Sequence, residues 1–257
     1  MAESEASAPS EPELDPAGEM TFMEHLAVLR RHVVRSLLWF SIGLLVGFGF
    51  VDRAWDALMI PFCDIRPDQC YVYPRDMMEA LWVYLKLGAL LAFFVALPAL
   101  FAEAWAFVAP GLYAHEKKIA LPFSLAVGVL FAGGAAFGFF VVMPPALRFF
   151  LGIAADFGSF TYLVSMQRYF SFCATLLIAF GTVFELPLVM MLLSMAGFVS
   201  PRWFARYRRV MYFAMLVFSA VVTPTTDPVT MLLMGGPMVV LYEIGILLGK
   251  LVYRPRA

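Results

Sequence analysis

The sequence predicts an all-α integral membrane protein with six transmembrane helices and both termini in the cytoplasm. Of the 257 residues, 62% are hydrophobic and only 14% are charged, and the mean hydropathy is +0.83. Soluble domains contain about 45–50% apolar and about 25% charged residues, so a soluble globule could not bury this much apolar surface. The formal charge of −1 argues against a nucleic-acid-binding protein, which would have a basic face.

The chain is predicted to consist of an acidic tail, one membrane domain and a short end segment. Residues 1–24 contain seven acids and no Lys or Arg, so residues 1–18 are predicted to be disordered. Residues 19–251 are the predicted membrane domain, and residues 252–257 a short cytoplasmic tail. The apolar runs between charges predict spans at 33–51, 82–107, 120–143, 168–196, 209–222 and 228–249.

Proline sets two of these boundaries. Pro144 and Pro145 are expected to end the third span, and Pro224 the fifth, because proline lacks the N–H donor of a helix interior. The fifth span then has about thirteen residues, or roughly 20 Å, which is short of the ~30 Å hydrocarbon core.

The Lys and Arg residues predict the orientation. Twelve cations fall on one side of the predicted spans and six on the other, and the side richer in cations faces the cytoplasm. The twelve are Arg30, Arg31, Arg35, Lys117, Lys118, Arg202, Arg206, Arg208, Arg209, Lys250, Arg254 and Arg256. The six are Arg53, Arg66, Arg75, Lys86, Arg148 and Arg168.

Cys63 and Cys70 lie in the first loop outside the cytoplasm. They are either a disulfide pair or two free thiols, and this compartment favours the disulfide. Closing a loop of this length stabilises the fold by about 2.5 kcal/mol in the chain-entropy treatment.

The sequence contains no recognisable catalytic constellation. Its histidines, His25, His32 and His115, form no zinc motif, and no nucleophile elbow is present. We therefore expect no enzymatic activity, metal site or cofactor. Gly134 and Gly138 form a GxxxG pattern, which indicates close packing of two helices.

Glu185 is the most informative charge, because no other charged residue lies between Arg168 and Arg202. An acid at the centre of a span costs roughly 2.5–3.5 kcal/mol on insertion scales, so we expect this side chain to face protein or water. It is either a titrating or polar-ligand site or a structural hydrogen bond between helices. Pro187 should loosen the helix beside it and free a carbonyl.

Three further acids are lesser candidates. Glu103 lies near the cytoplasmic end of the second span, within reach of the lipid headgroups. Glu243 lies in the last turns of the sixth span, where it is either functional or a structural hydrogen bond between helices. Asp227 precedes Pro228 at a position typical of a helix start. Asp227 and Glu243 are candidate contacts for a partner subunit.

Five segments resemble the TatC family, the receptor core of the twin-arginine protein translocase. They are Phe22–Arg30, Trp105–Glu116, Phe184–Pro187, Thr223–Pro228 and Leu241–Glu243. The resemblance covers residues 21–250 and implies a six-helix, cupped, concave fold with short fifth and sixth helices. It also implies single-span TatA/TatB-type partners, self-association in a larger complex, and transport of folded proteins driven by the proton-motive force.

The resemblance further implies a site for signal peptides that carry two consecutive arginines. Its residues here would be Glu24, Arg30, Phe107 and Glu116. Family members often have an acid where this chain has Val28; Glu24 lies one helical turn earlier on the same face, and we expect it to replace or supplement that acid. Met231 stands where some members have glutamine.

A proton-coupled small-molecule transporter that uses Glu185 is the alternative function. Such transporters commonly contain structural repeats and broken helix pairs at the bilayer midplane. The two halves of this sequence show no convincing repeat, so the translocase receptor is favoured.

Overall fold

The structure, a computed structural model, describes residues 22–108, 120–156, 163–195, 197–222 and 228–253. Within these ranges the helices are α1 Phe22–Gly49, α2 Val51–Ile65, α3 Met77–Val108, α4 Ala120–Phe137, α5 Met143–Asp156, α6 Met166–Phe184, α7 Leu186–Met195, α8 Pro201–Arg206, α9 Arg208–Val222 and α10 Pro228–Val252. The predicted tail at 1–18, Glu116 and Asp227 lie outside the described residues, as do the last four residues of the predicted cytoplasmic tail.

Five helical stretches in the described ranges are long and apolar enough to cross a membrane. They are Leu26–Gly49, Met77–Ala104, Phe123–Gly152, Met166–Met195 and Met234–Val252. The helix α9 has only 15 residues, or about 22 Å at the usual rise per residue. The prediction of a short last helix is wrong, because α10 has 25 residues and continues through its internal Pro237.

The first helix begins well before the predicted start of its span at residue 33. Its N-terminal turns carry Arg30, Arg31 and Arg35, and the helix runs through them from Phe22. Arginine is a good helix former, so a charge that marks the edge of an apolar run does not mark the end of a helix.

Pro144 and Pro145 do not end the third helical stretch, contrary to prediction. A π-helical segment, Gly138–Val142, joins α4 to α5, and the Met143 N–H bonds to Gly138 O, five residues back. Pro144 and Pro145 have no N–H to donate, and the wider turn before them accommodates this loss. The chain therefore continues as one helical stretch.

The fourth predicted span is divided at Glu185, between α6 and α7. The Glu185 N–H donates to the carbonyls of Thr182 and Val183. In an unbroken helix the Val183 carbonyl would accept from residue 187, but Pro187 has no N–H to donate. The Glu185 N–H takes that place, so the expected free carbonyl is not found there.

Glycines allow the closest helix contacts. A Cβ at Gly134 of α4 would lie 2.4 Å from Phe180 O of α6, and a Cβ at Gly47 of α1 would lie 2.7 Å from Gly88 O of α3. The predicted close packing at Gly134 is therefore present. Gly47 closes a second pattern of the same kind with Gly43, which the sequence reasoning missed.

The starts of α3 and α6 are tied together at one end of the molecule. The Tyr73 N–H donates to Val164 O, and the Met166 N–H donates to Tyr73 O, both at 3.0 Å. On the same side, Cys63 and Cys70 are joined by a disulfide with a Cα–Cα distance of 4.7 Å.

Candidate functional site

A polar pair joins α1 to α3 near the end of α3. Nδ1 of His32 lies 2.7 Å from Oε2 of Glu103, and each side chain is only 14% exposed. A hydrogen bond to a carboxylate in such a sheltered position is stronger than one between neutral groups in water. The pair therefore adds a polar contact to the close packing of α1 against α3.

Phe107 joins this pair one helical turn after Glu103. Its ring centroid lies 6.2 Å from that of His32, with the rings edge to face. The structure thus brings together one predicted site residue, Phe107, and two residues that were not assigned to the site. We call His32, Glu103 and Phe107 the α1–α3 cluster.

The other predicted site residues are placed differently. Arg30 is exposed on α1, and two residues along a helix correspond to a rotation of roughly 200°, so Arg30 points away from the side of α1 that carries His32. Glu24 lies in the first turn of α1, two turns before His32 in helical register, and its side chain is outside the described part. The structure does not bring Arg30 together with the cluster.

Glu185 is buried between α6 and α7 and is only 6% exposed. Within the described residues, its Oε1 has no hydrogen-bond partner. A buried carboxylate oxygen without a donor is unfavourable for the fold, so Oε1 of Glu185 is open to a polar group from outside the described residues.

Glu243 differs from Glu185 because both of its carboxylate oxygens have partners. Arg208 of α9 approaches Oε2 at 2.7 Å, and the Tyr212 hydroxyl donates to Oε1. This candidate partner contact is therefore occupied within the chain, where it holds α9 against α10.

Glu79 is a buried acid that the sequence reasoning missed. Its Oε1 accepts from the Ser165 hydroxyl at 2.7 Å and from the Gln167 N–H at 2.6 Å, and its Oε2 accepts from the Arg75 N–H at 2.5 Å. These bonds reinforce the connection between the starts of α3 and α6. A sequence signal was present, since Glu79 directly precedes an apolar run.

The part of the chain that the structure describes contains no group of three or more His, Cys, Asp or Glu side chains placed to hold a metal ion. His32 with Glu103 and Arg208 with Glu243 are instead polar pairs between helices.

Known proteins resemble this chain over most of its length. The family described as "Sec-independent protein translocase protein (TatC)" matches residues 24–237. The TatC protein of Desulforapulum autotrophicum is 37% identical over 229 residues, which is 88% of this chain and 83% of the relative. The TatC protein of Aquifex aeolicus is 34% identical over 237 residues, which is 92% of this chain and 98% of the relative.

Two solved structures match this chain and belong to the same family as the sequence relatives. A crystal structure of the twin arginine translocase receptor TatC matches with a TM-score of 0.75 and 35% identity, covering 90% of this chain and 100% of that one. A second, solved in DDM, matches with a TM-score of 0.77 and 34% identity, covering 88% and 99%.

These matches, together with the membrane-spanning helices, define a multi-pass protein of the cytoplasmic membrane that is a translocase subunit and not an enzyme. The chain belongs to the TatC family of Sec-independent protein translocases.

Proposed function

We propose that the chain is the twin-arginine signal-peptide receptor of a translocase that exports folded proteins, driven by the proton-motive force. The observation that carries the proposal is the α1–α3 cluster. It places a sheltered carboxylate, Glu103, and an aromatic ring, Phe107, where the end of α3 packs against the N-terminal half of α1. Glu24 lies in the first turn of one of these helices, and Glu116 follows the other by eight residues.

The chemistry of this region suits a pair of guanidinium groups. Each guanidinium donates two parallel hydrogen bonds to a carboxylate, and such charged bonds are roughly twice as strong as neutral ones. A lysine pair lacks the planar fork that makes this geometry possible. Glu24 and Glu116 are the proposed partners of the two arginines, with Phe107 packing against the peptide beside them.

The proposed topology places this site in the cytoplasm. Six spans, with α9 as the short fifth, put both termini, the start of α1 and the end of α3 on the side with twelve of the eighteen cations. A cytoplasmic receptor site would meet signal peptides before their cargo crosses the membrane. The cupped arrangement of the family is part of this proposal.

The proposed partners are TatA/TatB-type single-span subunits, further copies of this chain and the surrounding lipid bilayer. Glu185 is the proposed contact for a partner helix or for the inserted signal peptide, because its Oε1 lacks a donor among the described residues. Family membership favours this role over the proton-coupled transporter that the same residue could serve.

Peptide binding to the purified full chain in detergent tests the receptor proposal. A labelled Arg-Arg signal peptide and its Lys-Lys twin are titrated, and fluorescence anisotropy reports binding. We expect the first peptide to bind at least about tenfold more tightly, since losing a charged hydrogen bond costs about 1.5–3 kcal/mol.

The variants Glu24→Gln and Glu116→Gln should each weaken binding of the Arg-Arg peptide by about tenfold or more. Glu13→Gln, in the acidic tail, is the matched control and should leave binding unchanged. Equal affinity for the two peptides, or equal effects of all three substitutions, would contradict the assignment.

A further inference from the structure

A cavity of about 450 Å³ opens between the start of α3 and the start of α6. Arg75, Lys86 and Arg168 line it together with Trp82. It lies at the opposite end of α3 from the α1–α3 cluster, since Glu79 and Glu103 are about 36 Å apart along a helix of normal rise. It is therefore separate from the proposed receptor site.

The carboxylates of this cavity are already occupied by other donors. Asp76 Oδ1 accepts from the Met78 N–H at 2.8 Å and from the Glu79 N–H at 2.7 Å. Glu79 accepts the three bonds from Arg75, Ser165 and Gln167 described above, and two of these donors are backbone N–H groups.

The cavity therefore carries three cations against two carboxylates, Asp76 and Glu79, so one positive charge is in excess. Among the residues that the structure describes, none of the three side chains forms an ion pair. They are also half of the six Lys and Arg residues predicted to lie outside the cytoplasm. The positive charge in excess of the two carboxylates attracts an anion, and an anion between the cations reduces their mutual repulsion.

We propose that this cavity binds the phosphate of an anionic membrane lipid in the leaflet away from the cytoplasm. The arginine forks fit phosphate oxygens with two parallel bonds, and Lys86 adds a point charge. Trp82 is 54% exposed beside the cations, at a level where tryptophan commonly meets lipid headgroups.

The surface next to the cavity favours a lipid over free phosphate as the source of this group. Met77, Met78, Leu81 and Leu85 on the same turns of α3 are all exposed, Met77 by 96%. These apolar side chains offer a surface for acyl chains directly beside the cationic cavity. Free phosphate has no part that would use this surface.

Lipid binding to the full chain in a neutral detergent tests the proposal. Native mass spectrometry counts bound phosphatidylglycerol, with diacylglycerol as the probe without phosphate and inorganic phosphate as the competitor. The variant is Arg75→Gln/Arg168→Gln. The control, Arg53→Gln/Arg148→Gln, removes two equally exposed arginines from the same predicted side.

We expect the cavity variant to lose at least tenfold in phosphatidylglycerol affinity and the control less than twofold. Arg75→Lys/Arg168→Lys, which keeps the charge, should retain part of the affinity and shows that any loss is not due to misfolding. Equal losses in the cavity and control variants, or equal binding of diacylglycerol, would overturn the proposal. Displacement by inorganic phosphate at the lipid's own concentration would overturn the lipid as the ligand.

Discussion

His32 and Glu103 join two helices across 71 residues of sequence, with 2.7 Å between Nδ1 and Oε2. This bond is important for the position of α1 because little of α1 is buried against the rest of the chain. Only 11% of the residues in the most apolar window of α1 are buried, and its packing is mainly against α3. The bond between His32 and Glu103 therefore helps to fix the position of α1, which otherwise packs along one face only.

Removing either member of this pair should destabilise the protein through one shared interaction. We expect His32→Ala and Glu103→Gln each to lower the free energy of unfolding by about 1–3 kcal/mol. The double variant should lose less than the sum, with a coupling energy of about 0.5–3 kcal/mol. Thermal unfolding in detergent gives these values, and exposed Arg30→Ala is the control. Additive losses would show that the two side chains do not act together.

Neighbouring glycines of α4 offer a matched test of helix packing. A Cβ at Gly134 would lie 2.4 Å from Phe180 O, whereas a Cβ at Gly133 meets nothing within 4 Å. Gly134→Ala should therefore separate α4 from α6 and destabilise the protein by about 1–3 kcal/mol, as overpacking commonly does. Gly133→Ala should be neutral or slightly stabilising, because alanine is the better helix former. Similar unfolding temperatures for both variants would contradict the close contact.

The fold class and most helices could be predicted because a long apolar run in a membrane forms a helix, which bonds its own backbone groups. The boundaries were less predictable, since they depend on local hydrogen bonds. Pro144 and Pro145 look like a helix end, yet the Met143 N–H reaches back to Gly138 O and the helical stretch continues. A wider turn of this kind leaves no pattern in the sequence.

The candidate site was only partly predictable for a different reason. Phe107 followed from the family resemblance, but its neighbour His32 lies 71 residues before Glu103, and pairing over that distance is set by tertiary packing. Arg30 belongs to the same sequence segment as His32 and yet is exposed on another side of α1. The family resemblance placed Arg30 in the site, and its role there stays a prediction.

The disulfide between Cys63 and Cys70 makes a separate prediction about stability. Cys63→Ser/Cys70→Ser should lower the free energy of unfolding by about 2.5 kcal/mol, the value for constraining an unfolded loop of this length. Thermal unfolding of the oxidised protein, the reduced protein and the double variant measures the effect. Buried Cys173 is unchanged in these three samples. A separate variant, Cys173→Ser, is the control for loss of a thiol. Identical unfolding of oxidised and reduced wild type would show that the bond adds no stability.

Two acids predicted to lie within the membrane should respond differently to the same substitution. Glu185 Oε1 has no partner in the described part of the chain, whereas the Glu243 carboxylate is bonded to Arg208 and Tyr212. Glu243→Gln should therefore lower the free energy of unfolding by about 1 kcal/mol, a value reduced by the partial exposure of the pair. Glu185→Gln should lower it less, or raise it, because Oε1 has no bond to lose and a neutral amide costs less to bury than a carboxylate.

Protein export should be reduced more by the substitution at Glu185 than by the substitution at Glu243. If Glu185 receives a polar group from a partner helix or signal peptide, Glu185→Gln should reduce export of a folded reporter, because a neutral amide binds a donor more weakly than a carboxylate does. Export is measured in cells whose only copy of this protein is the variant, with protein levels checked by immunoblot. Glu243→Gln, which loosens the contact between α9 and α10, controls for loss of stability. Full export by Glu185→Gln at normal protein levels would leave Glu185 without a role in binding, and its burial would then be a feature of the fold alone.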